Sequence, residues 1–178
     1  MVERVLDSVR DSVLFSLDAD WAQLMGRVDG LTDDEFLWEP SPGGWSVRAA
    51  ADGTFQVDLE KPDPIPPPMT SIAWRMWHMG PDCLDAYSLR AFGTSGSGID
   101  DRSWTADATE AVELLDRSFQ NFRAGVASWT GDDLLTPLGE GWGAYSTSTQ
   151  FDLALHAERE IVHHGAEIGL LRDLYARR

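Results

Sequence analysis

Apolar positions recur at spacings of three and four in four long stretches of this chain, and segments rich in proline and glycine separate them. In the first stretch, from about Glu3 to Val28, the residues Val9, Val13, Leu17, Trp21, Leu24 and Val28 form one helical stripe, which Gly30 ends. Thr32 is placed to cap a short turn through Asp33, Asp34 and Glu35, since acidic residues suit a helix N-terminus. The pattern then breaks between Trp38 and Pro68. Pro40 and Pro42 flank the start of Gly43-Gly44-Trp45, and Pro62, Pro64, Pro66, Pro67 and Pro68 exclude a regular helix further on. Within this segment Thr54 to Leu59 alternates weakly and predicts a short extended piece. So long a loop is either a surface wrap anchored by Trp38 and Trp45 or a functional element.

A second helix is expected from Met69–Ser71 to about Phe92, kinked by Pro81 and followed by a Gly/Ser linker at Gly93–Gly98. A third runs from about Ala106 to Trp129, with Val112, Leu115, Phe119, Phe122 and Val126 inward. Thr130 to Ser148 reads as a loop, and a fourth helix extends from about Thr149 to Tyr175. These elements predict an all-α four-helix bundle, up-and-down or with crossovers, with a long irregular loop between helices 1 and 2. A chain of 178 residues, 43% apolar, fits a single domain over 1–178 with one sizeable core.

Charge changes the picture. Fourteen Lys and Arg face 30 Asp and Glu, a net charge of -16, which repels phosphate backbones and argues against a nucleic-acid partner. The start of the chain is amphipathic throughout, so neither a secretory signal nor a membrane partner is expected. Cys83 is the sole cysteine, which precludes an internal disulfide and makes a cytoplasmic location the default.

The candidate chemistry lies on the fourth helix, which carries His156, His163 and His164. With Glu160 as zero on a helical wheel, His164 lies near +40°, His156 near -40°, His163 near -60° and Glu167 near -20°. Leu153 and Leu171 fall near +20°, so ionisable groups interrupt the apolar side. Buried carboxylates and imidazoles are costly unless paired or bound to a metal. Glu160 and His164, one turn apart, can reach a single ion; a Glu–His hydrogen bond that only orders the core is the alternative. His78, the remaining histidine, sits on the second helix one turn after Trp74 and one turn before Asp82. Two imidazoles and one carboxylate would leave a coordination position open, as in a catalytic site. A divalent metal is then expected, zinc first, with nickel or iron also compatible with these donors. Cys83 falls about 140° from His78 on the same wheel and is expected to point elsewhere.

Arg159-Glu160-Ile161-Val162-His163-His164-Gly165-Ala166-Glu167-Ile168, followed by Leu171-Arg172-Asp173-Leu174-Tyr175, resembles the last helix of the DinB/YfiT-like superfamily. Thr70-Ser71-Ile72-Ala73-Trp74-Arg75-Met76-Trp77-His78-Met79 resembles the second helix of that family, and Gly43-Gly44-Trp45-Ser46 echoes it as well. The resemblance implies a four-helix bundle holding a metal with three side chains, here His78, Glu160 and His164. Many members have His-x-x-x-His on the last helix; the Glu160 variant is similar to the metal domain of mycothiol-dependent maleylpyruvate isomerase. His163 is then expected at the edge of the stripe, either in contact with the ligands or in a helix–helix contact, and Asp82 and Asp85 are expected to orient His78.

Family members of known activity use a thiol such as mycothiol or bacillithiol. The resemblance therefore implies a metal-dependent transferase acting with a low-molecular-weight thiol on a small electrophile. A metal-dependent hydrolase and a metal-binding stress or interaction protein without turnover are the alternatives; an iron site of the sulfoxide-synthase kind fits less well, because the second catalytic domain is missing. Trp74, Trp142 and Tyr145 are expected to line the substrate pocket. A homodimer is compatible with this reading.

Overall fold

The computed structural model describes residues 2–94 and 101–178, and the larger part of the expected Gly/Ser linker lies outside them. The chain is mostly helical, with one small sheet. Helix α1 (Val2–Val28) is followed by the short α2 (Asp33–Phe36), which Thr32 caps as the sequence predicts. Two strands, β1 (Val47–Ala49) and β2 (Phe55–Val57), lie in the long loop. The second rod consists of α3 (Ile72–Trp77), a π-helical segment (His78–Asp85) and α4 (Ala86–Phe92). Strand β3 (Ser103–Trp104) precedes α5 (Ala108–Ser128), and α6 (Gln150–Tyr175) ends the fold. Thr149 and Asp152 form a reciprocal capping box that starts α6 where the sequence places it.

The packing gives the bundle its directions. Arg123 of α5 grips Asp18 of α1 through two hydrogen bonds, and Trp21 of α1 donates to Asp116 of α5, so these helices run antiparallel. Arg27 near the end of α1 donates to the Gly169 carbonyl near the end of α6, so those two run parallel. The second rod is parallel to α5, with Tyr87 on Phe122 and Phe92 on Trp129, and antiparallel to α6, with Arg75 on Glu167 and Tyr87 on His156. Both α1 and the second rod pack against α5 and α6 and therefore face each other across the core. Parallel neighbours and diagonal successors both need long connections. That requirement accounts for the length of the loop before α3. The predicted stripes face inward: Val13, Leu17, Trp21, Leu24 and Val28 are buried on α1, and Leu115, Phe119, Phe122 and Val126 on α5. Trp21 and Phe119 stack at 4.1 Å.

The long loop is a built element. Phe55–Val57 confirms the predicted extended piece, and β2 sits between β1 and β3, antiparallel to both. The flanking strands escaped the sequence reading because two or three residues carry no readable alternation. Trp45 bridges to the chain just before α3, donating to the Met69 carbonyl at 2.8 Å and accepting from Ser71 at 2.9 Å. A Cβ on Gly44 would meet the Met69 carbonyl oxygen at 2.9 Å, so this close approach requires glycine.

Glu35, on the short helix α2, is buried and held by Arg172 of α6 at 2.8 and 3.1 Å. The same guanidinium donates to the carbonyls of Arg27 and Asp29 and so caps the end of α1. Arg172→Ala leaves a buried carboxylate unpaired and is expected to destabilise the protein by about 3 kcal/mol, measured by urea unfolding. A change within ~0.5 kcal/mol would show that this junction contributes little.

Candidate metal centre

His78 opens the π-helical segment, and Glu160 and His164 lie one turn apart on α6, which packs against it. Their ligating atoms all lie within 4.8 Å of one another. The Nε2 atoms of His78 and His164 approach the same Glu160 oxygen, Oε2, at 3.4 and 3.2 Å. Each imidazole is fixed from behind through Nδ1: Asp82 at 2.8 Å holds His78, and Glu167 at 2.7 Å holds His164. A carboxylate on Nδ1 sets the tautomer and ring orientation, which leaves Nε2 as the free donor atom. The residues therefore fit a divalent cation: two nitrogens and one oxygen face a common point, and each ring is already oriented.

The charges are consistent with that fit. The hydrogen bonds from His164 and His78 hold the Glu160 carboxyl well below its ordinary range. Burial opposes charge on His78, but contacts with Asp82, Cys83 and Glu160 outweigh it and raise its pKa. Without a metal, the negative charge around His78 stabilises a proton on the ring; a metal must displace it. Arg75, buried by α6, pairs with Glu167 and lies 3.3 Å from His164 Nδ1. It neutralises a carboxylate that would otherwise crowd Glu160.

The aromatic wall comes from the long loop. Trp74 stacks on His78 at 5.4 Å and 13°, donates its indole N–H to the Asp58 carbonyl at 2.8 Å, and touches Trp45 at 5.7 Å. Gly43-Gly44-Trp45-Ser46 thus braces Trp74, and Trp74 fixes the plane of His78. Trp74 therefore stands against His78, while the cleft lined by Trp142 and Tyr145 does not include it.

Three expectations need correction or refinement. Cys83 does not point away from His78: its Sγ lies 3.7 Å from His78 Nε2, and the thiol is free and buried. A wheel of 100° per residue fails here because the segment is π-helical, and an i→i+5 pattern stacks Cys83 beneath His78. Pro81, which cannot supply an amide to a regular helix, lies inside that widened segment instead of at a simple kink. Asp85 does not orient His78. It points to Ser118 and Arg117 of α5, and burial raises its pKa. His163 is an exposed edge residue, 3.3 Å from Glu167 and tilted against His164 at 4.8 Å.

The sequence reading assigned no role to Glu167, Arg75, Tyr87 or His156. Glu167 carried a usable signal, since it lies three residues after His164 on the same stripe. His156 Nδ1 is 3.6 Å from Glu160 Oε1, and burial lowers its pKa. Tyr87 packs against His156, and burial, then Cys83, raise its phenol pKa. Trp142 and Tyr145 lie beside these two residues and line one cleft with them. A cavity of about 880 Å³ between the sheet and α5 reaches Asp85 but none of the three converging donors.

The model of the DinB superfamily matches residues 56–168. The chain belongs to the DinB superfamily. The match spans β2 and the second rod through most of α6, so it includes every residue of the metal centre. No curated protein and no solved structure matches the chain. DinB proteins commonly bind metal, and among the described residues three groups of candidate donors lie close together: His78, Glu160 and His164; His78, Asp82 and Cys83; and His163, His164 and Glu167. No described helix is long and apolar enough to cross a membrane.

Asp82→Asn and Glu167→Gln are each expected to weaken zinc affinity about 10–100-fold, read by competition with a chromogenic chelator. Asp85→Asn should leave affinity unchanged. Equal losses for all three would contradict the assignment of the orienting carboxylates.

Proposed function

We propose that this DinB protein is a metal-dependent transferase that uses a low-molecular-weight thiol, of the mycothiol or bacillithiol type, against a small electrophile. One observation carries the reading: two imidazole Nε2 atoms and one carboxylate converge from two helices, each ring held from behind. Three protein donors leave room for an exchangeable ligand, as catalytic sites do. A divalent metal, zinc first and nickel or iron(II) next, supplies positive charge that brings a thiol with a pKa of about 8.5 to its thiolate at neutral pH.

The chain's own groups do the rest. Asp82 and Glu167 hold the rings in the donor tautomer, and Arg75 keeps Glu167 from adding net charge. Trp74 shields one face of His78 from water. The cleft lined by Trp142, Tyr145 and His156 adjoins Glu160, which lies 3.6 Å from His156, and is the place this reading gives to the second substrate. Glu160 adds a negative charge that a histidine in its place would lack. With zinc bound and both rings neutral, these three donors would give a formal charge of +1 instead of +2, which would make a bound water less acidic while a thiolate would still be stabilised.

Metal content and thiol-dependent loss of monochlorobimane, over a panel of mycothiol, bacillithiol and glutathione, test the proposal. Glu160→Ala and His164→Ala are expected to lower metal affinity more than the roughly 10–100-fold of an outer carboxylate and to abolish turnover. Glu160→His should retain metal, and His163→Ala should change little. If His163→Ala empties the site while Glu160→Ala leaves it full, the ligand set is wrong. Metal-dependent consumption of an ester without any thiol would establish a hydrolase instead, and a protein that binds no metal would be an interaction module.

A further inference from the structure

Arg90 of α4 and Arg159 of α6 converge on the cleft of about 580 Å³ beside the metal centre. The chain carries 14 basic and 30 acidic residues, and seven of its 13 arginines form an ion pair among the described residues. Among the described residues these two form no ion pair. Asp152, the sole carboxylate lining the cleft, is already engaged: it accepts from the Thr149 amide at 2.7 Å and the Thr149 hydroxyl at 2.8 Å in the cap of α6.

Both cations are positioned by aromatic rings. Arg90 lies over the Trp142 ring at 5.4 Å, a cation–π contact that orients the fork without consuming its charge. Arg159 contacts His156 Nδ1. Between them stand Tyr87 and Trp142, and Tyr145 is 69% exposed at the rim. A planar guanidinium matches a carboxylate through two parallel hydrogen bonds, and the aromatic walls match a flat apolar body. His156, which lines the cleft, has its Nδ1 3.6 Å from Glu160 Oε1, so the cleft adjoins the candidate metal centre.

We propose that Arg90 and Arg159 form a recognition site for a carboxylate on a small, partly flat organic ligand of this enzyme. The inference rests on the proposed transferase reading and specifies the substrate: one of the two reactants carries a carboxylate. The net charge of -16 works against any anion at long range, so two unpaired cations in one cleft are the local feature that reverses the sign.

Calorimetry on the metal-free and the zinc-loaded protein tests this with two matched pairs of probes. Phenylacetate against phenylacetamide stands for an electrophile-borne carboxylate; N-acetylcysteine against its amide stands for a thiol-borne one. The acid of at least one pair should bind about 10–100-fold more tightly than its amide, the range of a charge-assisted hydrogen bond. Arg90→Gln and Arg159→Gln should each remove most of that preference, while Arg177→Gln, on the far end of the chain, should keep it. A preference in the phenylacetate pair places the carboxylate on the electrophile, and one in the N-acetylcysteine pair places it on the thiol. Equal binding of acid and amide in both pairs, a preference that survives both substitutions, or no saturable binding to about 10 mM overturns the proposal. The metal content of the same variants is measured alongside. Loss of probe preference with zinc retained falls on the arginines alone, whereas wild-type protein that takes up no zinc falls on the transferase reading.

Discussion

A carboxylate set between two imidazoles inside a helical bundle is costly unless every charge has a partner, and the surroundings of Glu160 are organised by that requirement. Glu160 faces His78 from the second rod and His164 from its own helix. Each imidazole passes the demand outward to a second carboxylate, Asp82 or Glu167, and Arg75 closes the chain on one side. The result is a polar seam along the contact between two antiparallel helices, walled by Trp74. The bundle's topology serves this seam. Because the second rod follows α1 across the diagonal, a long connection is needed, and that connection delivers Trp45 to brace Trp74.

The π-helical segment is the local feature that makes the seam possible. It places His78 at its first position, brings Asp82 to Nδ1, and turns Cys83 beneath the same ring. Irregular helical turns of this kind are frequent at functional sites. Here the proline within the turn prevents the regular bonding that would rotate Cys83 away. A thiol so near a metal donor is a second test of geometry, since sulfur competes well for zinc.

Much of this was legible in the residue pattern. The stripes on α1 and α5, the cap at Thr32 and the start of α6 near Thr149 follow from periods of 3.6 and from capping chemistry, while the His78–Glu160–His164 set also drew on the family resemblance. What was not legible has a physical reason in each case. Strands of two or three residues carry no alternation, so the sheet was read only at Phe55–Val57. A wheel built for α-helices misplaces any residue across a π-turn, which is why Cys83 was turned the wrong way and Asp85 was assigned to His78. Glu35 read only as an acid of a first turn, because its partner Arg172 lies 137 residues away in sequence. The roles of Arg90 and Arg159 needed the structure, since the absence of an ion pair cannot be seen in one dimension.

X-ray absorption on the zinc-loaded protein addresses the central claim most directly. The account predicts only nitrogen and oxygen neighbours from the protein, at about 2.0–2.2 Å, with imidazole scattering from two rings that falls to one in His164→Ala. A sulfur neighbour at about 2.3 Å that disappears in Cys83→Ser would contradict it, because the metal would then sit on the Cys83 side of His78 instead of between His78, Glu160 and His164.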